Sequence, residues 1–147
     1  GDMHRAIDLA AAQVMPEGRL AIAIYNDQGR ASRRWLTIKQ TYHSLPGPLR
    51  SIWVAMIASW YEAKFAAVRL VRGRNPLPFA DWRQKKLDRG MSVWHDWVDW
   101  VGGLPFEVAK PDEIIDRLEQ KGFRLKKLNT VGNGWGCNEY VFARHEF

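Results

Sequence analysis

The pattern of apolar and polar positions in the first thirty residues predicts a helix followed by a strand. Apolar residues recur every three or four positions over residues 3–14, the spacing of an amphipathic helix. Residues 16–18 (PEG) break that helix, and residues 19–25 (RLAIAIY) form an almost unbroken apolar run, typical of a strand buried on both faces. Residues 26–29 (NDQG) are a strong turn signal. In open α/β sheets, the loop after a strand's carboxyl end faces the ligand crevice.

The middle of the chain is predicted to be helical. Ser32 is a candidate N-cap for a helix over residues 33–43, and the Pro-Gly-Pro run after Leu45 ends it. A longer helix is expected over residues 49–71 and a short basic one over residues 79–90. The apolar positions of the longer helix are Ile52, Trp53, Met56, Trp60, Phe65 and Val68.

The end of the chain returns to α/β sequence. A helix is expected after Pro111, and Gly122 is a suitable residue to end it. Residues 123–128 alternate as a half-buried strand does, and residues 139–143 form a last strand after a glycine-rich loop. We expect these two strands to be an antiparallel pair, which makes the fold class α/β.

Composition favours one soluble domain in a reducing compartment. The 147 residues are 46% hydrophobic and include eight Trp but one Cys, so a disulfide framework is excluded and a cytoplasmic location is expected. No signal peptide or membrane-spanning run is apparent. Residues 31–90 carry twelve basic and three acidic groups, a net charge of +9. This basic segment is open to several interpretations: a lid over a pocket, contact with an anionic membrane surface, ordinary solvated helices, or, least favoured, nucleic-acid binding.

Short motifs distributed along the whole chain give it a family resemblance. A helix precedes the Pro-Gly step of residues 15–20 (MPEGRL), which leads into the apolar strand. Further motifs are GDM at 1–3, IAIYND at 22–27, GM at 90–91, HD at 95–96, DW at 99–100, GG at 102–103, PFE at 105–107 and GCNE at 136–139. With these motifs the chain resembles the C-terminal half of a class I S-adenosylmethionine (SAM)-dependent methyltransferase, in a subgroup that acts on small molecules.

The resemblance implies a partial Rossmann-like sheet. Residues 1–30 would supply a helix and the fifth strand, residues 31–90 a basic helical insertion, and residues 91–147 a pocket loop, a helix and the sixth and seventh strands. The cofactor would be SAM, but the motifs that hold it in the family would lie upstream of Gly1, because residues 1–147 contain no Gly-rich loop between a strand and a helix. The chain is therefore expected to need the missing N-terminal half and to be inactive alone. Glu17, where the family usually has Gly, is a departure.

Candidate site residues lie in three places. On a helix, His95 and Asp99 would share one face, with Asp96 nearby, so that the imidazole can act as a general base toward a substrate hydroxyl. The alternative is that both carboxylates cap helices or pair with arginines; two carboxylates with one His are a thin signal for a metal, and no metal site is predicted. Substrate contacts are expected from Tyr25, Asn26, Trp100 and Glu107.

Two functions follow as expectations. The first is methyl transfer from SAM to a small-molecule acceptor, with this chain forming the acceptor side. The second is a non-catalytic basic module that binds nucleic acid or an anionic membrane. Without inner strands beside it, the strand at residues 19–25 would be an exposed apolar edge, which predicts self-association or marginal stability.

Overall fold

The computed structural model describes residues 1–90 and 92–145, so Met91 of the GM motif lies outside the described residues. The helices are α1 (Met3–Ala12), α2 (Arg30–Ser44), α3 (Gly47–Val71), α4 (Phe79–Arg89), α5 (Val93–Gly102) and α6 (Pro111–Glu119). The strands are β1 (Arg19–Asn26), β2 (Val108–Ala109), β3 (Phe123–Asn129) and β4 (Cys137–Arg144). The chain forms two compact units, Gly1–Ser32 with Pro105–Phe147, and Arg33–Leu104, and each is described by itself.

The first unit is an open, mixed sheet with helices. Its strand order is β2-β1-β4-β3; β1 and β2 are parallel, and β4 is antiparallel to both β1 and β3. The α/β class and the antiparallel last pair are thus confirmed. Because β1, β2 and β3 all run in the same direction, their carboxyl ends lie at one end of the sheet.

The sheet is covered by helices on one face. Ile7 and Ala11 of α1 pack with Ile114 and Leu118 of α6 in one apolar core. The strand residues of this core are Leu20, Ala109, Phe123, Tyr140 and Phe142. The first unit therefore has a single apolar layer between its helices and one side of the sheet.

The expectation that β1 is buried on both faces is wrong. Leu20, Ile22 and Ile24 face the core, whereas Ala21 and Ala23 alternate with them and are exposed. Alanine is apolar but small, so an alternating strand with alanines on its outer face reads as a continuous apolar run. One edge of β1 is paired with β4 along the strand, but on the opposite edge β2 pairs only with Tyr25 and Asn26. On that edge, residues 19–24 have no strand partner within the described part of the chain.

The second unit is helical and has an aromatic core. Trp35 of α2 stacks on Tyr61 of α3 with ring centroids 5.2 Å apart and meets Trp100 of α5 edge-on at 5.9 Å. Trp53 Nε1 donates to the Ile38 carbonyl at 3.2 Å. The remaining buried apolar side chains of this unit are Ile38, Val54, Trp97 and Val101. All three helices predicted in the basic segment are present, and α2 and α3 share this core with α5.

The predicted N-cap of α2 is wrong in detail. Ser32 lies inside the helix, which begins at Arg30, and its buried Oγ accepts a hydrogen bond from Gln28 N at 2.8 Å. Gly29 has a positive φ of 58°, so the chain turns there and the helix starts sooner than the polar serine suggested. Ser32 thus ties the loop after β1 to the helix that follows.

Candidate functional site

A polar cleft lies at the end of the sheet where three parallel strands finish. Its volume is about 530 Å³. It lies beyond the last residues of β1 and β2 and beside the loop that follows β3. The lining residues are Asn26, Asp27, Gln28, Lys110, Pro111, Asp112, Gly132 and Asn133. Carboxyl ends of parallel strands are where open α/β sheets bind ligands, so the cleft is the candidate site of the first unit.

The floor of the cleft is set by two asparagines. Asn138 of β4 is fully buried and donates from Nδ2 to Asn26 Oδ1 at 3.0 Å. Asn138 Oδ1 accepts from Thr130 Oγ1 at 3.0 Å and from Val131 N at 3.1 Å. Asn26 Nδ2 in turn donates to the Gly132 carbonyl at 2.8 Å. A buried carboxamide with these partners fixes the β3–β4 loop against the end of β1.

The loop after β1 is held in the same way. Gln28 Nε2 donates to the Gly134 carbonyl and to the Asn133 carbonyl, the latter at 3.3 Å. Asp27 accepts from Gly29 N at 2.8 Å, which closes a tight turn before α2. Hydrogen bonds from a side-chain amide therefore connect the two loops that line the cleft.

Charged groups of both signs line the remaining side of the cleft. Lys110 precedes α6, Pro111 is its first residue, and Lys110 N donates to Glu113 Oε2 at 3.3 Å. Asp112 and Asp27 add carboxylates to a lining that is otherwise amide and backbone. Such a lining suits a small polar molecule that carries hydroxyl or amino groups.

Of the predicted substrate contacts in the first unit, the structure places only Asn26 on the cleft. Tyr25 is 45% exposed and packs against Phe106 with ring centroids 5.5 Å apart. Glu107 Oε1 accepts from Met3 N at 3.1 Å, so this carboxylate satisfies the first turn of α1. A Cβ at Gly1 would collide with the Glu107 carboxylate, which places the GDM and PFE motifs in direct contact.

The other candidates lie in the second unit, on α5. Residues 93–102, which the resemblance assigned to a pocket loop, form helix α5 with Ser92 as its N-cap. His95 is exposed, and its Nδ1 lies 2.5 Å from Ser92 Oγ, so the ring sits at the start of the helix. Asp96 is buried, whereas Asp99 is exposed. The contact of the His95 imidazole in this unit is with the Ser92 hydroxyl. Its role as a general base stays a prediction.

A lysine that the sequence did not single out lies beside α5. Lys39 of α2 is buried and donates from Nζ to the Trp100 carbonyl at 2.5 Å. Burial lowers the pKa of Lys39, and the nearby carboxylate of Asp99 partly offsets this effect. At the end of α5, a Cβ on Gly102 would lie 2.7 Å from the Tyr42 ring, so the glycine is needed for close packing.

Cys137 has the environment of an unreactive thiol. Burial raises its pKa, and the neighbouring Glu139 carboxylate raises it further. A raised pKa keeps the group in the thiol form at neutral pH.

Within the described residues, no glycine-rich loop joins a strand to a helix, which is the arrangement that the resemblance implies for SAM. The turn from β1 into α2 has one glycine, and its amide is bonded to Asp27. In the glycine-rich β3–β4 loop, the carbonyls of Gly132, Gly134 and Gly136 are bonded by Asn26 and Gln28. Nor do residues 1–90 and 92–145 contain three His, Cys, Asp or Glu side chains grouped to hold a metal. No helix in the same residues has the length and apolar content needed to cross a membrane.

No protein-family model, no curated protein and no solved structure matches this chain.

Proposed function

We propose that this chain is the acceptor-side half of a SAM-dependent methyltransferase that acts on a small polar molecule. The observation that carries the proposal is the cleft of about 530 Å³ at the carboxyl ends of three parallel strands. The order of elements adds support, because a helix, a strand, a helical segment, a helix and an antiparallel strand pair are what the resemblance implies.

In this function the chain binds and orients the acceptor. Lys110 and Asp112 would contact polar groups of the acceptor, while Asn26 keeps the cleft floor fixed through Asn138. Holding a reactant in one orientation is the main source of rate acceleration for a transfer between two bound molecules. The residues that hold SAM would come from the missing N-terminal half, and the chain alone would be inactive.

Two measurements test the proposal. Titration calorimetry of SAM into the 147-residue chain should show no binding, and micromolar binding would contradict our account of the cofactor site. The coding sequence upstream of the Gly1 codon should continue into a strand, a Gly-rich loop and a helix. An initiator codon at that point would refute the half-enzyme interpretation.

The product of the complete gene allows a sharper test of the cleft. With a labelled methyl group on SAM and a panel of small hydroxylated and amine acceptors, Lys110→Met and Asp112→Asn should raise KM for the acceptor about tenfold or more. The affinity for SAM should not change. Glu119→Gln is the matched control, because Glu119 is exposed at the far end of α6 and does not line the cleft.

The second candidate is a non-catalytic basic module, and exposed cations in the second unit favour it. Arg33, Arg34, Arg72 and Arg74 are all exposed within the segment of net charge +9. Such a module would bind nucleic acid or anionic vesicles tightly at low salt and release them as salt is raised. An initiator codon near Gly1 together with this salt-sensitive binding would distinguish the module from the half-enzyme, whereas vesicle binding alone would not.

A further inference from the structure

Helix α3 of the second unit has two apolar faces, of which one is covered. Its inner face carries Val54 and Tyr61, which are buried in the aromatic core of this unit. Its outer face is defined here as Leu49, Ile52, Met56, Trp60, Ala63 and Leu70, which recur at spacings of three, four and seven residues. Its five large side chains, Leu49, Ile52, Met56, Trp60 and Leu70, are between 46% and 66% exposed.

No charge interrupts the outer face. The charged residues between positions 49 and 71 are Arg50, Glu62, Lys64 and Arg69, and the helical spacing puts all four outside this arc. Three of them are bonded elsewhere: Arg50 to the Leu45 carbonyl at 2.9 Å, Glu62 to Trp82 at 3.0 Å, and Arg69 to Asp81 at 2.7 Å. A helix that is apolar on all sides is normally one that is covered on all sides.

Charge argues against a second copy as the occupant of the outer face. The basic side chains beside it would repel each other across a symmetric pair.

The charges around the outer face match an anionic lipid surface. Lys64 is exposed, and its Nζ lies 5.8 Å from the centre of the Trp60 ring, so an ammonium group borders the face. Arg74 is exposed shortly after the helix ends, and Val71, the last residue of the helix, is 88% exposed. An apolar strip with a tryptophan, bordered by Lys and Arg, is the pattern of helices that lie in the headgroup region of a bilayer.

We propose that the outer face of α3 lies flat in the interfacial layer of an anionic lipid bilayer. The apolar side chains enter the boundary between headgroups and acyl chains, and Lys64 and Arg74 contact lipid phosphates. This contact does not depend on methyl transfer and stands or falls separately from the proposed function.

Vesicle sedimentation with the whole chain tests the proposal. Vesicles of phosphatidylcholine with one third phosphatidylglycerol should bind the chain, and pure phosphatidylcholine should bind it at least tenfold more weakly. Ile52→Glu and Met56→Glu should each weaken binding about tenfold or more, because a carboxylate would enter the apolar boundary. Lys64→Gln should weaken it about fivefold. Circular dichroism should show that these exposed substitutions leave the fold intact.

Leu9→Glu is the matched control, because Leu9 is a 58% exposed leucine on α1 of the first unit. It makes the same change of charge and should bind vesicles like the wild type. Brominated lipids should quench the tryptophan emission of the wild type, and less so in Trp60→Phe. Equal binding by Ile52→Glu and the wild type would overturn the proposal. So would a dimer that Met56→Glu dissolves, or binding to nucleic acid, without affinity for anionic vesicles.

Discussion

Removing the buried carboxamide of Asn138 should destabilise the first unit more than any other single polar substitution near the cleft. In Asn138→Ala three hydrogen bonds are lost: those to Asn26, Thr130 and Val131. At about 1 kcal/mol for each bond, the loss in free energy of unfolding is about 3 kcal/mol. Asn138→Asp should lose at least as much, because it removes the donor to Asn26 and places a carboxylate in a fully buried position.

Urea unfolding followed by circular dichroism measures this loss. The midpoint should fall with an unchanged slope, since the surface exposed on unfolding stays the same. Asn133→Ala is the control: Asn133 lies in the same loop, but its side chain is exposed and only its backbone carbonyl accepts from Gln28. The control should stay within about 0.5 kcal/mol of the wild type.

A double-mutant cycle then separates the network from simple packing. Asn26→Ala and Asn138→Ala should show a coupling of about 0.5–1.5 kcal/mol, because the two side chains share a hydrogen bond of 3.0 Å. A loss below about 1 kcal/mol in Asn138→Ala, or additive effects in the cycle, would refute the idea that this network organises the cleft.

Three further outcomes are expected. The chain should self-associate through the unpaired side of β1, and Ala23→Lys should shift sedimentation toward monomer; a monomer that unfolds cooperatively at high temperature contradicts this. Arg117 lowers the pKa of Asp8 in the folded state through hydrogen bonds of 2.7 and 2.8 Å. The ion pair therefore contributes to the free energy of unfolding above pH 3.8, and this contribution is lost as the pH falls through the lowered pKa of the folded state. In denaturant titrations at several pH values, the difference between wild type and Asp8→Asn should therefore shrink in acid. Because the pKa of Lys39 is lowered, wild-type stability should rise toward pH 10.5, and Lys39→Met should lack that rise.

The first unit could be predicted well because its signals are local. The Pro-Gly break before β1, the NDQG turn after it and the alternation in β3 each depend on a few adjacent residues. Helical spacing likewise gave α1 and α6 to within a few residues. A local pattern does not show how many faces of a strand are covered. For this reason β1 was expected to be buried on both faces.

The cleft was predicted only in part, for a related reason. Position at the end of a strand pointed to Asn26, but Asn138 comes from a strand 112 residues away along the chain, and no spacing rule joins the two. The sequence signal for Asn138 was a polar residue at an inward-facing position of a largely apolar strand, between Cys137 and Tyr140. The sequence offered less indication that Lys39 is buried, because a lysine in a segment rich in arginine is expected to be exposed to solvent.

The outer face of α3 shows why an apolar helix pattern does not by itself identify a core. The sequence pattern named six apolar positions in this helix. The residues that are buried, Val54 and Tyr61, were not among them. A helix of 25 residues in a unit of this size has more apolar surface than the aromatic core of Trp35, Trp97 and Val101 covers. Exposure alone does not identify what covers such surface. The anionic bilayer that we propose is argued from the basic residues at its border, which complement lipid phosphates beside the apolar strip.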